Sequence, residues 1–493
     1  MTKKQYYGLF FLLAGSVLLS LLYCPPFDLG ISDKEIFTYT GWAVSKGLVP
    51  YRDFVDHKPP LIFFVHFAGI GLAGPWGLWM INAGLALLAT LFLFNCCRSY
   101  RVAYPWLPPL LFNLMLRDDL ISEGINMTRE YTAFLYIFFF CVLMGNTRYR
   151  HYWLGLLSGL TFFMQQDQLP ALIPFLVYAI FTIDRVPVGR RIAWIAAGFL
   201  TVLLPLLGYF AGRQSLGEFW QQAFLFNLDT YTTQKKSFWD HFRSVKRVLD
   251  AGNYEIPFMV SLIFGCAALT GRSRKKGLIL AALAGMLLTM LPEFLGGRYN
   301  GYDTSIDYSW YFLPLSAGIP VLIFTIFAFE DERIAHPMIR VPVALLLCTS
   351  LAYTALQHAT HLHRRNADPV IDSPEMNYLR QHRPGNYQLY VFQEDDYIAA
   401  YYEFRILAPS RWIYQHFWNW YDNWDPDGRI LQSICAGLLQ HHTTYVITDP
   451  DRTPAFRNPE NRARWMSFLN SHYVPVPMPG NHRTLLWKLR SQQ

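Results

Sequence analysis

The stretch ISDKEIFTYTGWAVSKGLVPYRDFVDHKPPL, residues 31–61, decides how the rest of this chain is interpreted. It follows an apolar run at residues 6–24, in a chain whose other long stretches are also apolar. The stretch carries ionisable side chains at close spacing: Asp33, Glu35, Asp53, Asp56, His57 and Lys58. Ionisable groups beside such segments need a partner or a function, because burying an unpaired charge is costly.

The composition indicates a polytopic membrane protein. Of the 493 residues, 53% are hydrophobic and 16% are charged, whereas an ordinary soluble domain has about 25% charged residues. The formal net charge of +7 raises the question of nucleic-acid binding. The basic residues fall in short clusters between apolar runs, however, which is a signal of membrane topology. We therefore expect contact with membrane lipid and no nucleic-acid partner. Most cysteines lie in or beside apolar runs, so a disulfide framework is not expected.

About eleven apolar runs are candidate transmembrane helices, although several are shorter than the roughly 17–25 residues of a full crossing. They are residues 6–24, 76–97, 104–116, 131–145, 152–166, 169–183, 192–211, 256–270, 277–291, 310–329 and 341–356. The run at residues 61–74 contains His66 and several glycines and follows Pro59 and Pro60. We interpret it as a helix lying in the membrane interface, and residues 216–250 as an interfacial helix pair.

The positive-inside rule orients these spans. With Lys3 and Lys4 on the cytoplasmic side, every short basic cluster between later spans falls on that side. Counting the run after Pro60 as a span would move those clusters outside. The first run lacks a small-x-small cleavage site, so we interpret it as an uncleaved span. The segments that then face outwards, before the C-terminal tail, are residues 25–75, 117–130, 212–255 and 292–309.

From about residue 358 the chain becomes soluble in character. Strand-like runs at residues 387–392, 444–448 and 484–489 alternate with helical patterns at 429–440 and 459–471, which predicts a small α/β domain outside the membrane. We therefore divide the chain into a transmembrane domain, residues 1–357, and a soluble extracytoplasmic domain, residues 358–493.

A series of motifs in a fixed order resembles a known family. The motifs are PYRDF (50–54), DHKPPL (56–61), NMTREY (126–131), GLTFFMQQDQLPALIP (159–174), GGRY (296–299) and YFLPL (311–315). With an acidic residue after the first span and a soluble tail, they resemble the polyprenyl-phosphate-sugar-dependent GT-C glycosyltransferases. That group includes protein O-mannosyltransferases and the lipid A aminoarabinose transferase. The resemblance implies a mainly α, polytopic GT-C fold and an inverting sugar transfer from a lipid-linked phosphate.

The resemblance implies that Asp33 is the catalytic carboxylate. An acceptor hydroxyl is a weak nucleophile, so a carboxylate within hydrogen-bond reach must take its proton. The leaving lipid phosphate needs cations, and we expect Lys58 and Arg298 to bind it. Each residue also has a structural interpretation. Asp33 could simply cap the helix that follows it, and Lys58 could extend to lipid headgroups.

A second set of acidic residues is expected to contact the donor, the acceptor or a metal ion. Glu130 matches the family position best, and Asp118, Asp119 and Asp167 are the other members. Asp118, Asp119 and Asp167 could equally be solvated loop carboxylates. Oxygen ligands would suit Mg²⁺ or Mn²⁺, but the spacing contains no metal motif.

Two departures from the family bear on these roles. The chain has Met164-Gln165-Gln166 where relatives often carry Lys, and Trp310 stands where His is usual. A cation for the donor phosphate is thus missing from the motif at residues 159–174.

The function that we expect is transfer of a sugar from a polyprenyl-phosphate donor to a hydroxyl of a glycan, lipid or protein acceptor. It would occur on the periplasmic side of a bacterial inner membrane, with the N-terminus cytoplasmic. The alternative is a non-catalytic transporter or flippase of lipid-linked glycans. A transporter typically buries charges at mid-span and often contains repeats, whereas here the charges cluster in loops and no repeat is visible.

Overall fold

The computed structural model describes residues 3–25, 32–102, 104–117, 125–182, 186–229, 239, 255–270, 275–291, 313–329, 373–392, 395–413, 425–448, 458–478 and 486–490. Helices dominate this part of the chain. Those before the C-terminal region are α1 (Lys3–Leu21), α2 (Ser32–Ser45), α3 (Leu61–Ala73), α4 (Pro75–Ser99), α5 (Leu107–Leu116), α6 (Thr128–Met144), α7 (Arg150–Met164), α8 (Ile173–Thr182), α9 (Val188–Gly212), α10 (Leu216–Trp220), α11 (Phe226–Asp229), α12 (Glu255–Thr270), α13 (Lys276–Leu288) and α14 (Leu315–Phe329).

Ten of the eleven predicted spans coincide with helices, and the eleventh, residues 341–356, lies outside the described residues. Within those residues, α4 and α9 are long and apolar enough to cross a membrane, with 25 residues each. At 1.5 Å per residue, each is about 37 Å long, more than the roughly 30 Å of a bilayer core. Several other apolar helices are shorter, so the number of spans stays a prediction.

The predicted span at 169–183 does not begin as a regular α-helix. Its first part is a 3₁₀ helix, Gln166–Leu172, and only then does α8 continue as an α-helix. Pro170 lies inside the 3₁₀ helix. A proline lacks the N–H that a regular helix needs and clashes with the preceding turn, which accounts for the irregular start.

Helix α3 is a separate short helix, as the sequence predicts. Its 13 residues correspond to about 20 Å, which is too short for a full crossing. Helix α3 packs against α2 at Gly41, where an added Cβ atom would lie 2.5 Å from the Cβ of His66. Glycine therefore lets α2 and α3 meet at their backbones, and the two ends of the stretch at residues 31–61 are held together.

Two glycines allow a similar close contact between α7 and α9. A Cβ atom on Gly155 would lie 1.9 Å from the carbonyl oxygen of Ile195, and one on Gly198 would lie 2.0 Å from that of Tyr152. Small residues at such positions are typical of helix pairs in membranes.

The C-terminal region contains the predicted α/β unit. Its four strands, β1 (Leu389–Val391), β2 (Tyr445–Ile447), β3 (Tyr473–Pro475) and β4 (Leu486–Leu489), form a sheet in the order β1-β2-β4-β3. Strands β1 and β2 are parallel, and the other two pairs are antiparallel. The helices of this region are α15 (Pro374–His382), α16 (Ala399–Glu403), α17 (Arg429–Gln440) and α18 (Pro459–His472), with a 3₁₀ turn at Asp395–Ile398. The sequence predicted three of the strands and both α17 and α18, but not β3.

The C-terminal region packs directly on α2. The rings of Tyr39 and Tyr401 have centroids 4.9 Å apart, and the backbone N–H of Ala408 donates to the Tyr39 hydroxyl at 3.0 Å. The helix that begins beside Asp33 is thus covered by the last part of the chain.

The close contact between α7 and α9 can be tested with Gly198→Ala. The added methyl group cannot fit unless the helices separate, and overpacking of this kind costs about 1–3 kcal/mol. We expect a lower melting temperature for the detergent-solubilised protein. Gly208→Ala is the matched control, because Gly208 lies in the same helix with no atom within 4 Å of an added Cβ. Equal melting temperatures for the two variants would contradict the contact.

Candidate functional site

Asp33 and Lys58 meet at the centre of the candidate site. Asp33 lies in the first turn of α2, and its Oδ2 atom is 3.7 Å from Nζ of Lys58. That distance is longer than a direct N–H···O hydrogen bond, so the two groups are paired by charge alone. Their side chains are 26% and 16% exposed, respectively. Both charges therefore remain accessible to a bound molecule.

Local sequence explains why each group lies at its place. A carboxylate in the first turn of a helix is favoured by the positive end of the helix dipole, which suits Asp33. Lys58 precedes Pro59, and a residue before proline is restricted to extended conformations. Pro60 then occupies the N-cap of α3. Lys58 thus lies in the loop between α2 and α3, directly before α3 begins.

The backbone of Lys58 is held on both sides. Its N–H donates to Oδ1 of Asp56 at 2.9 Å, and its carbonyl oxygen accepts from the hydroxyl of Tyr51 at 2.7 Å. Further bonds come from α11, where Nδ2 of Asn227 donates to the carbonyl of His57 at 2.8 Å. These bonds fix the direction in which the lysine side chain leaves the loop.

Tyr51 has an unusual backbone conformation. Its φ of +70° is in the left-handed region, which costs a non-glycine residue on the order of 1 kcal/mol. The residue is fully buried, and its carbonyl oxygen accepts from Nε2 of Gln222 at 2.7 Å and from the guanidinium of Arg411. The surrounding structure therefore outweighs the local backbone cost.

The two loop carboxylates at Asp53 and Asp56 are in different electrostatic states. Burial raises the pKa of Asp56 to about 6, although the Lys58 backbone N–H and the Lys58 charge partly oppose that rise. Burial also acts to raise the pKa of Asp53, but hydrogen bonds from Arg52 and the Val49 N–H outweigh it and lower that pKa overall. Asp56 is thus costly to ionise, and Asp53 is stabilised as an anion.

Glu130 lies in a different environment from Asp33. Its side chain is completely buried, and its two oxygens accept hydrogen bonds from Arg117, from Nδ2 of Asn82 and from the N–H of Asn126 at 2.7 Å. Arg117 also donates to Oδ1 of Asn82 at 2.6 Å. This arrangement directs Glu130 into the helix bundle, where it ties the start of α6 to α4 and α5.

The network around Glu130 includes residues that the sequence did not single out as partners. Nε2 of His66 lies 3.0 Å from the carbonyl oxygen of Asn126, and the hydroxyl of Tyr131 donates to Oδ1 of Asn126 at 2.9 Å. Asn82 stands within a run of apolar and small residues, 77–88, in α4. An amide inside such a run is the signal that could have indicated a buried polar partner.

The remaining predicted site residues are distributed as follows. Asp167 is half-buried on the 3₁₀ helix between α7 and α8. Its neighbour Gln165 is buried and accepts a hydrogen bond from the hydroxyl of Thr128 at 3.1 Å, which links it to the start of α6. Asp118, Asp119 and Arg298 lie outside the described residues.

A divalent cation does not fit the acidic residues that the structure describes. No group of three or more His, Cys, Asp or Glu side chains converges in the described part of the chain. Protein donors already contact both oxygens of Glu130, and a lysine stands beside Asp33.

An apolar groove of about 330 Å³ lies between α3, α4, α6 and α7. Its lining includes Leu61, Phe64, Leu85, Phe134 and Leu160. Leu61 is three residues after Lys58. The lining of the groove therefore begins, in the chain, on the helix that directly follows Lys58.

No protein-family model matches the chain, and no curated protein sequence matches it. Its structure, however, is similar to two crystal structures of ArnT from Cupriavidus metallidurans. The structure bound to undecaprenyl phosphate gives a TM-score of 0.61 at 11% sequence identity, and the apo structure gives 0.62 at 12%. Each comparison covers 97% of both chains. At this identity the likeness shows the fold. The expected GT-C fold is therefore confirmed over nearly the whole chain.

The buried Asp56 leads to a pH-dependent prediction for Asp56→Asn. Because folding raises the pKa of this carboxyl from 3.8 to about 6, the stability of the native protein falls as pH rises through that window. Asparagine keeps an oxygen acceptor for the Lys58 N–H without a charge. We expect the variant to be more stable than the native protein at pH 8, by at most about 3 kcal/mol, and the gain to disappear towards pH 4.

Melting temperatures between pH 4.5 and 8 would test this prediction. Asp53→Asn is the matched control with the opposite sign, because its lowered pKa makes the ionised form stabilising above about pH 4. It should destabilise the protein at pH 8 and matter less in acid. A gain for Asp56→Asn that does not depend on pH would contradict the buried-charge explanation.

Proposed function

We propose that the chain is an inverting glycosyltransferase that moves a sugar from a polyprenyl-phosphate donor to an acceptor hydroxyl. The observation that carries this proposal is the accessible pair of Asp33 and Lys58, 3.7 Å apart. An apolar groove whose lining includes Leu61, three residues after Lys58 in the chain, supports it. The GT-C fold supports it, since an ArnT structure with that fold binds undecaprenyl phosphate.

The proposed reaction assigns a separate task to each charge. The acceptor oxygen attacks the anomeric carbon of the sugar, and its proton passes to the carboxylate of Asp33. The bond between that carbon and the phosphate oxygen breaks, and the electron pair leaves with the lipid phosphate. Attack from the side opposite to the leaving group inverts the configuration at the carbon.

Lys58 would stabilise the phosphate as its charge develops. Two unit charges about 4 Å apart interact by about 4 kcal/mol at an effective dielectric constant of 20, which is enough to affect a reaction barrier. Arg298 is proposed as a second cation for the phosphate. When the donor binds, Lys58 would turn from Asp33 towards the phosphate and leave the carboxylate free to accept a proton.

The other acidic residues fall into two proposed groups. Glu130 holds the start of α6 through its buried bonds with Arg117 and Asn126. Asp118, Asp119 and Asp167 are candidates for contacts with the acceptor. The acceptor would be a glycan, a lipid or a protein, and the reaction would occur at the periplasmic face of a bacterial inner membrane. The region that packs on α2 at Tyr39 would form the soluble domain on that face.

The role of Asp33 is tested by Asp33→Asn, which keeps the size of the side chain but removes the base. A general base typically contributes 10²–10⁴-fold to a rate, so we expect transfer to fall by at least about a hundredfold. Mass spectrometry of cell-envelope glycans would compare a deletion strain with strains that express each form of the protein. The sugar lost in the deletion strain should return with the native chain and not with Asp33→Asn.

Glu35→Gln is the matched control for this experiment, because Glu35 lies two residues further along the same helix and has no proposed chemical role. It should restore the glycan. Near-normal transfer by Asp33→Asn would exclude Asp33 as the base. A deletion strain with unchanged glycans would contradict the proposed function itself.

The role of Lys58 is tested by Lys58→Ala and the affinity for undecaprenyl phosphate. Hydrogen bonds to charged groups contribute about 1.5–3 kcal/mol, so the dissociation constant should rise roughly ten- to a hundredfold. Native mass spectrometry of the protein in detergent can measure it. Lys46→Ala is the control, since Lys46 is exposed near the end of α2 and its Nζ lies over the Trp42 ring. Equal affinities for both variants would exclude a phosphate contact by Lys58.

A further inference from the structure

We propose that the C-terminal region positions the donor-site lysine through Arg411 and Tyr51. These two residues would act on the transfer through Lys58, as positioning residues without any contact with substrate. The inference rests on the proposed function for the role of Lys58 as the phosphate-binding cation. The contacts that carry the inference are present without any ligand.

Arg411 joins the C-terminal region to the loop before Lys58 at two points. The N–H of Val55 donates to the carbonyl oxygen of Arg411 at 2.9 Å, and Nη2 of Arg411 donates to the carbonyl oxygen of Tyr51. Both the backbone and the side chain of one residue therefore bind the same loop. The partners are 360 residues apart in sequence in the case of Tyr51.

Tyr51 passes this contact on to Lys58. Its hydroxyl donates to the Lys58 carbonyl oxygen at 2.7 Å, while its ring packs among Phe63, Phe210 and Phe219 with centroids 5.5–5.9 Å away. The packed ring fixes the position of the hydroxyl oxygen beside the Lys58 carbonyl. The carbonyl and the hydroxyl of one fully buried residue thus connect Arg411 to Lys58.

The charge of Arg411 makes its bond to the loop strong. The side chain is half-buried, and the carboxylates of Asp53 and Glu218 lie close enough to act on its charge. Hydrogen bonds from an ionised donor are roughly twice as strong as neutral ones, above all where water is partly excluded. A neutral side chain of similar length at this position would hold Tyr51 less firmly.

Arg411 is in turn fixed by the sheet. The hydroxyl of Tyr390, on β1, donates to the carbonyl oxygen of Trp412 at 2.7 Å. The N–H of Ala408 bonds to Tyr39 on α2, the helix that carries Asp33. One short segment, residues 408–412, therefore contacts both elements that supply the reacting pair. Simple packing of the C-terminal region on the helices would not require consecutive hydrogen bonds from Arg411 to Tyr51 and from Tyr51 to Lys58.

The experiment uses the full-length protein with Arg411→Gln and Tyr51→Phe. Hydrogen–deuterium exchange would report the mobility of residues 49–60, and native mass spectrometry would report the affinity for undecaprenyl phosphate. We expect faster exchange in that segment and an affinity at least threefold lower for both variants. In a protein that also carries Lys58→Ala, neither substitution should lower the affinity further, because its effect passes through Lys58.

Two matched controls separate this role from general loss of stability. Arg490→Gln removes an arginine that donates to the carbonyl oxygens of Asn470 and Tyr473, and Tyr473→Phe removes a hydroxyl that donates to the carbonyl of Thr443. Both changes lie within the C-terminal region and touch no atom of the loop. Neither should change the exchange of residues 49–60 or the affinity for the lipid.

Three results would overturn the inference. These are unchanged exchange in residues 49–60 of Arg411→Gln, an equal loss of affinity in the control variants, and losses that add to that of Lys58→Ala. Failure of the native protein to bind undecaprenyl phosphate would instead overturn the proposed function. The exchange rates of the same samples would still decide whether Arg411 holds the loop.

Discussion

The 3.7 Å pair of Asp33 and Lys58 is the interaction on which the rest of the site depends. Opposite charges this close, at a site from which water is partly excluded, would normally form a hydrogen bond. Here the Asp33 carboxylate and the Lys58 ammonium are too far apart for one, and both side chains are partly exposed. Gly41 sets the distance between the helices, and the bonded backbone of Lys58 sets the position of the lysine. Much of the structure around residues 31–61 therefore keeps two charges near each other without letting them neutralise one another completely.

The pair of Arg117 and Glu130 also joins a cation and a carboxylate, but its role is structural. Both side chains are buried and bonded to neighbouring amides, so neither is accessible to a substrate. Removing one partner from a buried pair typically costs 3–5 kcal/mol, because the other charge is left uncompensated. Arg117 and Asn126 flank residues 118–125 in the chain. Glu130, bonded to both Arg117 and the Asn126 N–H, thus fixes both ends of the segment that contains Asp118 and Asp119, while the partly exposed pair of Asp33 and Lys58 remains available for chemistry.

Most of the fold could be predicted from the sequence, because apolar runs and alternating patterns are local signals. The helices that match the predicted spans, α3 as a separate short helix, and three of the four strands follow from such signals. The family resemblance and the chemistry of the leaving group assigned Asp33 and Lys58 to one candidate site, and the structure places the two side chains 3.7 Å apart. The inward position of Glu130, the left-handed Tyr51 and the contact with Arg411 did not follow, since each depends on partners distant in sequence. Strand β3 has only three residues, too few for a pattern.

The left-handed conformation of Tyr51 has a consequence for how this site can be transferred between proteins. Tyr51 is held by Gln222 from the middle of the chain and by Arg411 from its last part. A chimera that received residues 31–61 alone would have the sequence motifs. It would lack Gln222 and Arg411, the two donors that compensate the backbone cost at Tyr51. The loop would relax to an ordinary turn and release the hydroxyl from Lys58. The smallest portable unit therefore consists of three segments far apart in sequence, which must be exchanged together.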